Sequence, residues 1–293
     1  MTILRCLAFA AVVSAQPLPL HQSELRVAPP RAGWELGMIS SVAADGKGTI
    51  YLLQRGLSAQ PVVAIDEQGK VLREWGKGLY QIPHSIRIDP AGNIWTVDAA
   101  SSSILKFTPK GEKLLDFAVG EQPQTKSQFN GTADIAFTTD GHLLIADGYG
   151  NARVLEYDAH GKRIRQWGTA GSGPGQLHLP HGIAIDGKGV VYVADRENGR
   201  IQRFSREGKY LGEIDGDGNK TFSLAIRANA LWIGCQPRNE PNGAPGWIMK
   251  LDPETGRILG RIDSPGHHSI DVSAKGEVLT GVRPDRLLWF RTN

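Results

Sequence analysis

Cysteine is almost absent from this chain of 293 residues, which contains only Cys6 and Cys235. Cys6 lies in an N-terminal segment that we expect to be removed, so the mature chain would keep Cys235 alone. A secreted chain with one thiol can form no internal disulfide. Its fold must therefore be held together by the hydrophobic core.

Amphipathic helical patterns and long apolar runs are also missing, and aromatic residues make up only 7% of the chain. Glycine is abundant instead, with 36 residues. Short runs of alternating apolar residues, separated by glycine-centred turns, are typical of antiparallel strands. The sequence therefore predicts an all-β protein.

Neither sign of charge dominates, since 33 basic side chains face 30 acidic ones and the formal net charge is +3. Removal of residues 1–15 would take away Arg5 and no acid, which leaves a net charge of +2. Such a nearly equal number of positive and negative charges favours neither nucleic acid nor an anionic membrane as a partner. We also expect the protein to be a monomer.

Residues 1–15 have the pattern of a signal peptide. Arg5 precedes the apolar run Cys6 to Val13, and small residues follow at Ser14 and Ala15, where a signal peptidase would cleave. The apolar run is too short to span a bilayer. This pattern predicts a secreted or periplasmic protein.

A strand motif recurs six times along the chain. The six copies start 44, 49, 48, 41 and 46 residues apart, at Ser40, His84, Ala133, His181, Phe222 and His268. Four-stranded units with a period in the forties indicate the blades of a propeller. We predict one six-bladed β-propeller over residues 39–293.

The outermost strands repeat as well, but only five of them are complete. In each, a turn glycine is followed six residues later by an aromatic residue or isoleucine, as in Gly69 with Trp75 and Gly256 with Ile262. The sixth blade therefore needs a strand from elsewhere. We expect residues 16–38 to close the propeller, with the missing strand between Leu25 and Leu36.

Histidine starts the inner strand of alternate blades, at His84, His181 and His268. Alternate blades of a six-membered ring are related by 120°, so three imidazoles would converge on the axis. Three histidines with one open position are typical of a catalytic zinc site. His267 could substitute for His268 as the third ligand.

The turns between the second and third strands should reach the same mouth of the channel. They carry Arg55, Tyr149 and Arg196, while the sixth-blade turn is Val282-Arg283-Pro284. An arginine pair suits a small-molecule or peptide substrate with a carboxylate, because guanidinium groups bind carboxylates through two hydrogen bonds. Tyr149 could act as an acid or a base. The strand-end acids are expected to bond their own turns instead: Asp98, Asp147 and Asp195.

Four stretches carry a family resemblance: IPHSIRID, ADGYGNAR, WGTAGSGPGQLHLPHGIAID and VADRENGRIQRF. Together they resemble NHL-type propeller repeats and, more specifically, the peptidyl-α-hydroxyglycine α-amidating lyase family, from about Ile39 to Phe290. The resemblance implies zinc bound by three histidines, matching His84, His181 and His268. It also implies an active-site tyrosine at Tyr149 and active-site arginines at Arg55 and Arg196.

The implied reaction cleaves a carbon–nitrogen bond of an α-hydroxyglycine-type substrate, which yields an amide and glyoxylate. One departure concerns calcium. The family usually has Pro-His-Asp at the third motif, where the Asp helps to hold a structural calcium ion, and this chain has His267-His268-Ser269. Calcium is therefore left open as a second metal.

Two other functions are compatible with a propeller. One is a non-catalytic NHL-type propeller that binds a peptide or protein at the channel mouth, which would have no need of three convergent imidazoles. The other is a calcium lactonase of the gluconolactonase type. That enzyme would need acids facing the channel, and the six inner-strand starts contain none.

Overall fold

The structure, a computed structural model, describes residues 16–123, 127–216, 219–282 and 285–292. Within these ranges the regular elements are all strands, and no helix is long and apolar enough to cross a membrane. The expected signal peptide, residues 1–15, lies outside the described residues. So do Arg283 and Pro284 of the sixth-blade turn.

Six antiparallel sheets of four strands follow one another around the ring, which confirms the predicted six-bladed β-propeller. The first strand, β1 (His21–Leu25), belongs to the last sheet. The first three blades consist of β2 (Ile39–Ala44), β3 (Thr49–Gln54), β4 (Val62–Asp66) and β5 (Val71–Trp75); β6 (Pro83–Ile88), β7 (Ile94–Asp98), β8 (Ser103–Phe107) and β9 (Lys113–Ala118); and β10 (Asp134–Phe137), β11 (Leu143–Asp147), β12 (Arg153–Tyr157) and β13 (Arg163–Trp167).

The second half of the ring begins after a two-stranded insertion. The insertion pairs β14 (Thr169–Ala170) with β15 (Gln176–Leu177) in parallel. The last three blades consist of β16 (Pro180–Ile185), β17 (Val191–Asp195), β18 (Arg200–Phe204) and β19 (Tyr210–Asp215); β20 (Lys220–Arg227), β21 (Ala230–Gln236), β22 (Gly246–Leu251) and β23 (Ile258–Ser264); and β24 (Ile270–Val272), β25 (Val278–Val282) and β26 (Arg286–Arg291) with β1.

The N-terminal segment closes the ring, but not with the residues expected. The strand that completes blade six is β1, which pairs antiparallel with β26, whereas the sequence suggested a strand between Leu25 and Leu36. Trp34, which lies in that stretch six residues before Ser40, is instead buried beside blades six and one. Its indole nitrogen donates to Glu74 at 2.9 Å.

The same segment also contacts the blades on either side of β1. The amide of Leu18 donates to the carbonyl of Arg261 in blade five at 3.0 Å. The amide of Ala28 donates to the carbonyl of Gly69 in blade one at 2.9 Å. A single stretch of chain thus connects blades five, six and one, in addition to the direct hydrogen bonds between these blades.

Packing between blades explains the repeated glycine and aromatic pair. The turn glycines of blades two to five lie against the outer-strand side chain of the preceding blade. A Cβ added at Gly111 would come within 2.9 Å of the Trp75 ring, and one at Gly208 within 2.7 Å of the Trp167 ring. Both glycines also have positive φ, +92° and +89°. The position therefore accepts only glycine on two independent grounds.

The hydrophobic core is divided into six layers, one between each pair of neighbouring blades. The layer between blades four and five, for example, joins Tyr192 and Ile201 to Leu231 and Met249. The layer between blades six and one contains Trp34, Val42, Leu279 and Trp289. Cys235 is buried in the first of these layers and takes part in no disulfide. Because the sheets face one another all around, the channel at the axis is framed by the inner strands.

Candidate metal centre and active site

Two of the three histidines are directed into the channel by local irregularities of the inner strands. The pairing of β6 with β7 shifts register between Pro83 and Ser85, and that of β16 with β17 shifts between Pro180 and Gly182. His84 and His181 are therefore the extra residues of two β-bulges. A bulge bends its strand and changes the direction of the side chain, and bulges often occur beside active sites.

The backbone of the neighbouring blade fixes each imidazole. In all three cases Nδ1 faces the carbonyl oxygen of the residue that holds the same position in the next blade. The distances are 2.6 Å from His84 to Ala133, 2.6 Å from His181 to Phe222 and 2.8 Å from His268 to Ser40. Since a carbonyl only accepts, Nδ1 carries the proton and Nε2 presents a lone pair.

The three imidazoles meet on the axis. Their ring centroids are 4.6 to 5.1 Å apart, and their planes are inclined by 72° to 79° to one another. One nitrogen of each ring lies within 4.8 Å of those of the other two. Three such nitrogens could hold one metal ion, and neutral imidazole nitrogen is a common ligand of zinc.

Burial and nearby charges keep His84 and His181 neutral. Burial, together with the nearby His268 and His181, holds the pKa of His84 well below its usual range. Burial and the neighbouring Arg196 do the same to the pKa of His181. Both side chains are therefore unprotonated at neutral pH, and metal binding requires that form.

His267 and His268 occupy different environments, which bears on the question of the third ligand. His268 belongs to the cluster, whereas His267 is buried between blades five and six against Gly234 and Ser223. Burial lowers the pKa of His267 to about 4. The carbonyl of His267 has a structural role instead, because it accepts a hydrogen bond from Gln236 at 2.7 Å.

Tyr149 connects the turn of blade three with the cluster. Its hydroxyl oxygen lies 2.9 Å from Nε2 of His84 and 2.9 Å from Nε2 of His181. One hydroxyl proton cannot serve two acceptor nitrogens at once. A metal ion bound by the Nε2 atoms would remove that mismatch, so the donors present fit a metal. Burial raises the pKa of Tyr149, against the opposing charges of Arg196 and Arg55.

Both arginines lie near Tyr149, where burial raises the pKa and their charges oppose that rise. The Arg196 guanidinium carbon is 5.9 Å from the centre of the Tyr149 ring, and its Nε donates to Glu197 at 2.8 Å. Nε of Arg55 donates to the carbonyl of Pro83 at 2.8 Å, directly before His84. Both cations are thus anchored within reach of the cluster.

Two phenylalanine rings cover the arginines, and only one of them lies in a repeat. Arg196 is 5.1 Å from the centre of the Phe222 ring, at the inner-strand start of blade five. Arg55 is 5.5 Å from the centre of the Phe129 ring, which itself lies 5.0 Å from that of Tyr149. Sequence reasoning missed Phe129 because it lies between blades, where no repeat defines its position.

Asp98 bonds the amides of its own turn, as expected, whereas Asp147 and Asp195 are held mainly by neighbouring side chains. Asp98 accepts hydrogen bonds from the amides of Ala100 and Ser101 at 2.9 and 2.7 Å. Asp147 and Asp195 are fully buried and form ion pairs with Arg153 and Arg200, both at 2.8 Å. Their oxygens are therefore engaged in structure rather than directed at the cluster.

Ser269, which stands where the family usually has the calcium-binding Asp, has a neutral side chain. The hydroxyl oxygen of Ser269 lies 2.9 Å from that of Ser41 across the junction of blades six and one. Calcium sites are built chiefly from carboxylate and carbonyl oxygens. We therefore assign no calcium-binding role to Ser269.

The fold and the site together identify the protein as a six-bladed β-propeller with three histidines that meet on its axis. The NHL repeat family matches residues 177–204. A probable peptidyl-α-hydroxyglycine α-amidating lyase of Caenorhabditis elegans is 30% identical over 88% of this chain and 83% of its own length. The chain therefore belongs to the peptidyl-α-hydroxyglycine α-amidating lyase family, and that membership supports a lyase activity.

A second relative is longer. A peptidyl-glycine alpha-amidating monooxygenase of Mus musculus is 31% identical over 86% of this chain, but the match spans only 30% of the mouse protein. Among solved structures, a streptogramin B lyase superposes with a TM-score of 0.62 at 16% identity, over 94% of this chain and 98% of its own. At that identity the likeness concerns the fold alone.

Proposed function

We propose that the protein is a secreted or periplasmic, zinc-dependent lyase that cleaves an N-acyl-α-hydroxyglycine into an amide and glyoxylate. The bond between the α-carbon and the amide nitrogen breaks. The hydroxyl proton leaves its oxygen, the amide nitrogen gains a proton, and the α-carbon becomes an aldehyde. Atoms and charge balance without a further reactant.

The observation that carries this proposal is the placement of the Tyr149 hydroxyl 2.9 Å from both His84 and His181, near the charges of Arg196 and Arg55. A bound zinc ion would supply a Lewis acid that makes a substrate hydroxyl more acidic. Tyr149 would transfer a proton at its phenolic oxygen. A hydrogen-bonded side chain at this distance is suited to general acid–base catalysis.

The arginines give the site its preference for a carboxylate. Arg196 is almost fully buried, and a guanidinium group offers a planar pair of donors that matches a carboxylate. Arg55, which lies over the Phe129 ring, adds a second positive charge near Tyr149. A substrate with a carboxylate next to the carbon that bears the hydroxyl would thus be held by the mouth and presented to the cluster.

The proposal can be tested by incubating the purified protein with N-benzoyl-α-hydroxyglycine and measuring glyoxylate. We expect release with the zinc-loaded protein and none after chelation, with recovery when zinc is added back. Zinc-loaded protein that binds peptides but forms no glyoxylate would favour the non-catalytic NHL-type propeller.

A single peak at the monomer mass in sedimentation would support the expected monomer.

A further inference from the structure

A small cavity lies in the channel directly below the three-histidine cluster. Its volume is about 10 Å³, the lower limit for one water molecule. Besides the histidines and two apolar residues, it is lined by three serines, an acid and a base: Ser85, Ser223, Ser269, Asp134 and Arg87. Arg87 also lines a cavity of about 420 Å³ formed by the far ends of the inner strands. Its side chain therefore lies between the cluster and the opposite end of the channel.

The repeats show how one long side chain fits into the channel. Three positions after each inner-strand start, blade two carries Arg87 and blade six carries Asp271, while the other four blades carry alanine: Ala43, Ala136, Ala184 and Ala225. Small side chains in four blades leave space for the guanidinium of the second. Asp271 lines the larger cavity, where its carboxylate accepts a hydrogen bond from the amide of Ala44 at 2.7 Å.

Asp134 is the one carboxylate among the described residues around the small cavity. Its side chain is only 4% exposed, and both of its oxygens are engaged. One oxygen accepts a hydrogen bond from the hydroxyl of Ser85, and the other pairs with Nη2 of Arg87 at 2.7 Å. Nη1 of the same guanidinium donates to the carbonyl of Ile86 at 3.4 Å. The charge of this buried acid is thus balanced by a side chain of the protein.

These groups do not fit calcium, the second metal that the family resemblance left open. Calcium takes roughly six to eight oxygen ligands, among which carboxylates are prominent. The cavity offers one carboxylate, already paired with Arg87, and the neutral Ser269 where the family usually has Asp. A divalent cation placed here would also be repelled by the fixed positive charge of Arg87.

We propose that the guanidinium of Arg87 takes the place of a second metal ion in the channel, so that the protein needs no calcium. The ion pair braces the two strands that orient His84. Ser85 directly follows His84, and Asp134 directly follows Ala133. The carbonyl of Ala133 holds the His84 imidazole. This inference does not depend on the lyase activity, because it concerns metal content and the stability of the fold.

The first test uses the wild-type protein loaded with zinc. Its melting temperature should agree within ~1 °C between excess calcium and calcium-free buffer, because an ion stabilises a fold only if it binds to it. Elemental analysis of the protein as purified should find calcium well below one ion per chain. One calcium ion per chain, or a melting temperature that rises with calcium, would overturn the proposal.

Two variants test whether Arg87 is the group that excludes calcium. Ser269→Asp alone adds a carboxylate to the cavity but keeps Arg87, which should pair with it, so we expect little response to calcium. The double variant Arg87→Ala/Ser269→Asp leaves two carboxylates without the fixed cation. Calcium at ~100-fold above its dissociation constant should then raise the melting temperature by ~5–10 °C. Equal calcium responses of the two variants would overturn the role of Arg87.

Lys106→Met combined with Ser269→Asp is the matched control. It removes a cation from the same blade, but one that pairs with Asp89 at 3.5 Å away from the small cavity. It should respond to calcium no more than Ser269→Asp does. Arg87→Lys covers the case in which the double variant does not fold. It keeps a positive charge in the channel, so it should melt below the wild-type protein yet remain insensitive to calcium, and a calcium response would contradict the proposal.

Discussion

Nδ1 of His268 donates a hydrogen bond to the carbonyl oxygen of Ser40 at 2.8 Å, which joins the last blade of the propeller to the first. The third imidazole of the cluster is therefore oriented by the closure of the ring itself. β1 supports that closure from the opposite, outer edge of the same blade. Ring stability and metal binding should consequently depend on each other.

Deleting residues 16–25 removes β1 and the contact of Leu18 with blade five. We expect the melting temperature to fall by ~5–10 °C, since a loss of 1 kcal/mol lowers it by about 2–4 °C in a domain of this size. Zinc affinity should fall as well. Differential scanning calorimetry and zinc titration would measure the two effects.

Glu24→Gln is the control for that deletion, because it removes only an exposed ion pair between Glu24 and Arg286 at 3.0 Å. Exposed pairs contribute little, so the free energy of unfolding should change by less than ~1 kcal/mol. A truncated protein that melts at the temperature of the full chain would contradict the closing role of β1.

The metal prediction concerns His84 and His181 together. Elemental analysis of the purified protein should find about one zinc ion per chain, as for other three-histidine centres. Replacing both residues with alanine should leave almost none, because a single remaining imidazole cannot hold the ion. Zinc retained at full stoichiometry in the double variant would place the site elsewhere.

Two other histidines serve as controls for the metal prediction. His178→Ala removes an exposed histidine on the same face, and His267→Gln changes the buried neighbour of His268. Both proteins should keep their zinc. Loss of zinc in His267→Gln with retention in His268→Gln would reverse the choice of third ligand that the structure indicates.

The repeats made the blade count and the shared position of the three histidines predictable. Residues at the same position in different repeats are related by a rotation about the propeller axis. His84 and His181 could therefore be placed together from the sequence alone. The bulges at these residues could not be predicted, because they are set by a one-residue excess against β7 and β17 rather than by a residue type.

The closing strand shows where pattern reasoning fails. Trp34 stands six residues before Ser40, as Ile262 stands six residues before His268, and this spacing suggested a strand. Trp34 instead fills the layer between blades six and one, while the more polar β1 pairs with β26. An edge strand that is mostly exposed carries little hydrophobic signal. Phe129 was missed for a related reason, since no second copy of its loop exists.

Tyr149→Phe should lower kcat by ~10²–10⁴-fold with a smaller effect on KM, because proton transfer matters mainly in the transition state. Zinc content should stay unchanged, since the imidazoles remain. Steady-state glyoxylate release with metal analysis would measure both. Tyr80→Phe is the matched control: its hydroxyl is also buried in the fold but bonds Thr96 at 2.8 Å, away from the cluster. Equal turnover in wild-type protein and Tyr149→Phe would exclude proton transfer by this residue.

The arginine pair should determine affinity for the substrate carboxylate. Arg196→Lys keeps the charge but loses the planar fork, and the aromatic contacts with Tyr149 and Phe222 suit a guanidinium better than an ammonium. We expect kcat/KM to fall by ~10–100-fold, the range for losing one charged hydrogen bond. Arg55→Lys should have a smaller effect, because Arg55 is less buried.

A substrate analogue with a carboxamide in place of the carboxylate shows whether these losses come from contacts between the arginines and the substrate carboxylate. The wild-type protein should prefer the carboxylate strongly. Arg196→Lys should reduce that preference, because an ammonium lacks the two parallel donors with which a guanidinium binds a carboxylate. Arg163→Lys changes an exposed arginine paired with Glu121 at 2.7 Å and should preserve the preference. If Arg196→Lys slowed both substrates equally, Arg196 would be acting on the cluster or on Tyr149 rather than on the carboxylate, and the orientation of the substrate proposed for the mouth would have to be reversed.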